Sequence, residues 1–164
     1  VAVRSLIEEQ VKHVESSFYS IVQVVTVDSL APDTSYIHRD QFRQAASEFL
    51  SIPDLSHPKT ARLYNEEPAR YDEMLGRVII TYTAKDPEKA EYPGMELMVT
   101  PNPASGDKVN NIMVTRTISS RDSFVHKKLL WQMDKSYLVT ALVQKPGEPE
   151  KTVTTRVSWN EGLQ

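Results

Sequence analysis

The apolar residues of this chain keep two different periods, and the change between them most narrows the folds open to it. Up to about Leu75 they recur three and four residues apart, the spacing of one helix face; over residues 77–159 they fall in alternating runs separated by turn residues. Helices first and a meander after is the order of an α+β domain, with N-terminal amphipathic helices packed on a twisted antiparallel sheet. At 164 residues the chain has one domain's length, divided into a helical part over residues 1–76 and an antiparallel sheet over 77–160.

Ile7, Val11, Val14, Phe18, Ile21 and Val25 draw the opening helix along a single face, with Glu8, Glu9, Lys12 and Glu15 off the stripe. The β-branched Val24-Val25-Thr26-Val27 weakens its end, and Asp28-Ser29 and Pro32 stop it. Phe42, Ala45, Ala46, Phe49 and Leu50 predict a second helix over residues 40–50. Shorter helical turns are expected over 58–64 and 66–75, the latter with Asn65 as N-cap and Gly76 in the left-handed C-cap position.

In the second half, residues 77–84, 95–100, 109–119, 125–133, 137–144 and 152–159 read as strands, giving about five or six in meander order. Tyr92-Pro93-Gly94 fits a type II turn. A three-residue loop after Met133, with Met133 opposite Tyr137, puts Leu129, Trp131 and Met133 on one face with Tyr137, Val139, Ala141 and Val143. A two-residue loop divides those side chains between both faces. Leu130, Leu138 and Leu142 then point the other way, where a homodimer through the outer sheet face is one way of covering them.

Composition removes several classes. Nineteen basic residues are spread among 22 acidic ones for a net charge of −3, with no basic block, so a nucleic-acid partner is not expected. The chain has no cysteine, which excludes disulfides, thiolate nucleophiles and the commonest zinc sites. No apolar run approaches bilayer length, so no transmembrane segment is expected. The start Val1-Ala2-Val3 fits a processed chain whose signal peptide has been removed or whose lipid-bearing N-terminal cysteine is lost; a trimmed cytoplasmic protein is the alternative.

Residues that carry chemistry are scattered. His13, His38, His57 and His126 show no ligand spacing, and the carboxylate pairs Glu66-Glu67 and Asp72-Glu73 do not face each other on a helix. No serine sits in a Gly-x-Ser-x-Gly elbow, and five glycines leave little for a phosphate-cradling loop. No catalytic residue, metal ligand or cofactor is therefore assigned. What remains is an aromatic set, Trp131, Tyr137 and Trp159, on one side of the sheet, with Arg116 on the inner parity of its strand beside Ile112, Val114 and Ile118. An arginine in such a row either pairs with a core acid or marks the polar end of a ligand pocket. These four are the candidate binding residues; the alternative is that the aromatics simply pack against the first helix.

Three stretches carry a likeness to known proteins. One runs from Asp122-Ser123-Phe124-Val125-His126 through Leu129-Leu130-Trp131-Gln132-Met133 to Asp134-Lys135-Ser136 and continues to Gln144-Lys145-Pro146-Gly147. The others are Val157-Ser158-Trp159-Asn160-Glu161 and Phe49-Leu50-Ser51-Ile52-Pro53-Asp54-Leu55. Here the chain resembles small bacterial cell-envelope proteins, many of them lipoprotein-like. The resemblance implies export, to the periplasm or the outer membrane, and implies no activity; the lipidated cysteine of such proteins is missing from this chain. The element order is also similar to nuclear-transport-factor-2-like and cystatin-like folds, in which a curved sheet wraps a helix and leaves a pocket. Two functions follow as expectations. One is a non-catalytic envelope protein that binds a partner protein or a small apolar ligand. The alternative is a small cone-fold enzyme with a titratable residue, such as His126 or Tyr82, in a sheet-lined pocket.

Overall fold

A computed structural model describes residues 2–160. The first helix, α1 (Val3–Glu15), buries Val3, Ile7, Val11 and Val14. It ends nearly three turns earlier than its stripe predicts. The hydroxyls of Ser16 and Ser17 turn back onto the carbonyls of His13 and Val14, taking up orphan acceptors at the helix end. Beyond them, six of seven residues in β1 (Ile21–Val27) are β-branched, and they extend rather than coil. Phe18 is left 94% exposed in the connection, and Val25 lies on a strand.

The chain continues through β2 (Asp33–Ile37), α2 (Arg39–Ala45), α3 (Ser47–Leu50) and α4 (Pro58–Ala61). The stripe over residues 40–50 is thus broken at Ala46, yet it keeps its buried face in Phe42, Ala46 and Phe49. Residues 66–75 are not helical. Two short strands, β3 (Tyr64–Glu66) and β4 (Arg70–Asp72), lie there against β5 (Arg77–Ala84). Gly76 does take a left-handed φ of +63°, but in the turn that joins β4 to β5, where Asp72 Oδ1 accepts from the amides of Met74 and Leu75. Gly94 does not turn the chain. It opens β6 (Gly94–Thr100), which is followed by β7 (Lys108–Ser119), β8 (Phe124–Gln132), β9 (Ser136–Gln144) and β10 (Lys151–Ser158).

These strands overturn the expected α+β arrangement of helices on five or six strands. Residues 2–160 form one antiparallel sheet of ten strands with four short helices, in the order β2-β1-β10-β9-β8-β7-β6-β5-β3, with β4 also on β5. The sheet dominates because segments with no one-sided alternation still pair: β1 is bonded on both sides, to β2 and to β10, the last strand of the chain.

One face of the sheet carries the helices. Across it Ile80, Leu97, Ile112, Trp131, Tyr137 and Val157 stand opposite one another from β5 to β10. Ile21 of β1 and Tyr82 of β5 belong to the same buried cluster, together with α1, α2 and α3. Six strand spacings would separate them by about 29 Å in a flat sheet, so the sheet curls around the helices. The β8–β9 loop has three residues, as expected, with Asp134 at φ +65°. Trp131 rather than Met133 is opposite Tyr137, a shift of two that leaves every side chain on its expected face.

Candidate functional site

The inner face divides into a covered part and an open part. Under the helices Trp131, Tyr137 and Trp159 meet Phe42 of α2 and Phe49 of α3. Trp131 stacks on Tyr137 at 5.3 Å, Phe49 meets both at 5.0 Å, and Phe42 lies edge-on to Trp159 at 5.3 Å. All five rings are buried. The ring faces that the sequence offers to a ligand are occupied by the protein's own phenylalanines, and the Trp131 indole N–H donates to Gln10 Oε1 of α1 at 3.2 Å.

Arg116 lies apart from those rings, at the margin of the helical cover. Its Nη1 reaches Glu48 Oε2 of α3 at 2.6 Å, its Nε and Nη2 reach Glu91 Oε2 at 2.6 Å, and its guanidinium lies 5.4 Å from the centre of the Tyr92 ring. Lys127, directly opposite Arg116 in the β7–β8 register, places Nζ 3.2 Å from both oxygens of Glu48. Burial works against the Arg116 charge, but Glu48 and Glu91 outweigh it and hold the guanidinium above its usual pKa. The arginine therefore pairs with an acid, and with Lys127 it clamps α3 to the sheet. Glu48 escapes sequence reasoning because nothing in its own segment marks it. The usable signal is on the sheet, where two cations on the inner parity of adjacent strands call for an acid between them.

Beyond this cluster the inner face continues outside the central core. Val27, Val153 and Ala141 stand opposite one another across β1, β10 and β9, and Ile118, Val125 and Val143 across β7, β8 and β9. These six are half-buried, and none belongs to the central cluster or packs against it. At the far end a cleft of about 390 Å³ continues the trough, lined by Val143 and Val153 and by Asp28, Lys145, Glu150 and Lys151. Asp28, at φ +50°, both donates from its amide to the Thr152 carbonyl and accepts from the Thr152 amide, tying the end of β1 to β10 beside the cleft. The result is an apolar floor bordered by charge on two sides, by the cleft residues at the far end and by Lys127 of the Glu48 cluster, which stands opposite Ala141.

The titratable candidates lie elsewhere. His126 is on the outer face of β8, with Nδ1 3.4 Å from Thr117 Oγ1; His38 and His57 precede α2 and α4; His13 meets Tyr19 edge-on at 5.9 Å. Tyr82 is buried on the inner face, where burial first and then Glu66, its partner in the β3–β5 register, push its pKa up to about 12. Burial pushes Tyr137 up as well. Among the described residues no group of three or more His, Cys, Asp or Glu is placed to hold a metal ion, and no helix is long and apolar enough to cross a membrane. Compared with known proteins, the chain matches no family model, no curated sequence and no solved structure.

Proposed function

We infer that this is a non-catalytic protein of the cell envelope, exported to the periplasm or the outer membrane, that binds a small apolar ligand along the open part of the inner face. The observation that carries the reading is the trough: six aliphatic residues on the inner face, outside the central cluster and only half-buried. Its charged rim suits a ligand with an apolar body and a polar end. The placement in the envelope rests on the likeness of residues 122–136 and 157–161 to envelope proteins. A catalytic reading needs a group brought toward working pH inside a pocket, whereas Tyr82 and Tyr137 are moved away from it.

The test fills the trough. Wild-type protein titrated with the uncharged fluorophore N-phenyl-1-naphthylamine should show saturable enhancement. Ala141→Phe, on the floor, should weaken binding about tenfold, the cost of occluding a site worth one to two kcal/mol of apolar contact. Thr140→Asp, on the outer parity of the same strand, should leave it unchanged. Absent enhancement, or equal loss in both variants, removes the reading.

A further inference from the structure

A second cleft lies on the other side of the sheet, at the end where β5 and β7 begin and β8 ends. It encloses about 300 Å³, and Arg77, Lys108 and Lys135 line it with the carboxamides of Asn110, Asn111 and Gln132. No carboxylate lines it. In a chain of net charge −3, three cations around one cleft are a local reversal of sign.

The acids nearest to these cations along the chain or across the register are held by other groups. Asp72, opposite Arg77, accepts from the amides of Met74 and Leu75. Asp107, next to Lys108, accepts from the Asn102 amide, and Asp134, next to Lys135, accepts from Gln10 Nε2. Among the described residues, ion pairs within 4.0 Å involve Arg43, Arg116 and Lys127 and none of the three cleft cations.

Two of the carboxamides, those of Asn110 and Gln132, are oriented as donors, while Asn111 Nδ2 already donates to Met98 Sδ at 3.3 Å. Asn110 Oδ1 accepts from Thr100 Oγ1 at 2.5 Å, and Gln132 Oε1 accepts from Ser136 Oγ at 2.9 Å, so the NH₂ group of each is left for another partner. A β-bulge brings this about. Met98 pairs with Asn111 but Val99 pairs with Val109, so Asn110 is the extra residue, fixed by the Met133 amide donating to its carbonyl at 2.9 Å. A bulge of this kind re-aims side chains at the margin of a sheet.

We propose that this cleft binds a terminal phosphate group, with Arg77, Lys108 and Lys135 balancing its charge and Asn110 and Gln132 donating to its oxygens. A lone carboxylate brings one charge and two oxygens in a plane, and leaves two cations uncompensated. A phosphate monoester brings a charge of about −2 and three terminal oxygens, which suits donors converging from separate strands. The phosphate has two chemical sources, a soluble phosphorylated molecule or a lipid headgroup. The cleft is on the opposite face from the apolar trough, so the two sites stand or fall separately.

Isothermal titration with inorganic pyrophosphate at low chloride should give saturable binding of one ion per chain, weakened by added chloride. Arg77→Gln and Lys108→Gln should each lower the affinity about tenfold, the effect of removing one charge-assisted contact, while Lys59→Gln on α4 leaves it unchanged. Unaltered melting of each variant keeps the comparison on binding. Cosedimentation with phosphatidylcholine vesicles containing phosphatidic acid forms the second arm. Capture that depends on Arg77 assigns the phosphate to a headgroup; pyrophosphate binding alone assigns it to a soluble molecule. No saturable binding in either arm, or an equal loss in Lys59→Gln, overturns the proposal.

Discussion

Glu48 is the single side chain on which the helical cover meets the charged row of the sheet. Arg116 and Lys127 both depend on it, and all three side chains are about three-quarters or more buried. Glu48→Gln leaves two cations facing each other with little water between them, so it should cost about 1–3 kcal/mol, read as a lower urea midpoint with an unchanged slope. Glu91→Gln removes a carboxylate whose side chain is half exposed, and should cost under about 1 kcal/mol. A reversed order would mean that the cluster is held from the loop and not from α3. The tyrosines set a second residue-level expectation. Burial raises the pKa of Tyr64, Tyr82, Tyr92 and Tyr137, with Glu66 adding to the effect at Tyr82. An acid whose pKa is higher when folded keeps its proton where the unfolded chain has begun to lose it. The contribution is complete below the unfolded value near 10 and is lost as pH climbs through the folded value, about 12 for Tyr82. Melting temperature should therefore fall steadily above about pH 10, and phenolate absorbance should appear late and together with unfolding; early phenolate absorbance in a still-folded protein would refute this. At this scale the sequence was half legible. The inner parity of Arg116 announced an unusual demand, but the partner that meets it is 68 residues away along the chain, a pairing that no local pattern encodes.

Among the elements, β1 is the most instructive. Its apolar residues continue the 4-3 spacing of α1, so periodicity alone extends the helix across them, while their β-branched character argues for a strand. Propensity decides locally because pairing partners are waiting on both sides, β2 and β10. Amide exchange distinguishes the two descriptions. Amides of residues 22–26 should be protected nearly as well as those of β8 and β9, whereas β2 and β3, each with one neighbour at an end of the sheet, should exchange first. Exchange of residues 22–26 as fast as β2 would sink the pairing. The strands β5 to β10 were readable because each alternates or is β-rich between clear turn residues. The pair β3 and β4 was not: three residues each, they are too short for any period to show, and Asn65, Glu66 and Gly76 resemble helix-terminal chemistry as much as turn chemistry.

For the whole molecule, the division of the inner face into a covered and an open part was beyond the reach of the sequence. It depends on where α2 and α3 come to rest, and both have the same apolar signature wherever they lie. The outer face has its own unfinished surface. Met113, Leu130 and Leu138 stand opposite one another across β7, β8 and β9, half-buried among threonines and lysines. Pairing of two copies through this row is one way of covering it; in that arrangement Leu138→Lys should convert a dimer to a monomer in light scattering without lowering the melting temperature of the dilute protein. A wild-type monomer at high concentration discards the pairing. The hydrogen-bonded neighbours β1 and β10 have a further consequence, in time rather than in space. Segments separated by well over a hundred residues must meet before either is satisfied, so synthesis at about 5–20 residues per second leaves the first strand waiting on the order of ten seconds for its mate to leave the ribosome. Through that interval Val22, Val24 and their neighbours are open to chaperones and proteases alike.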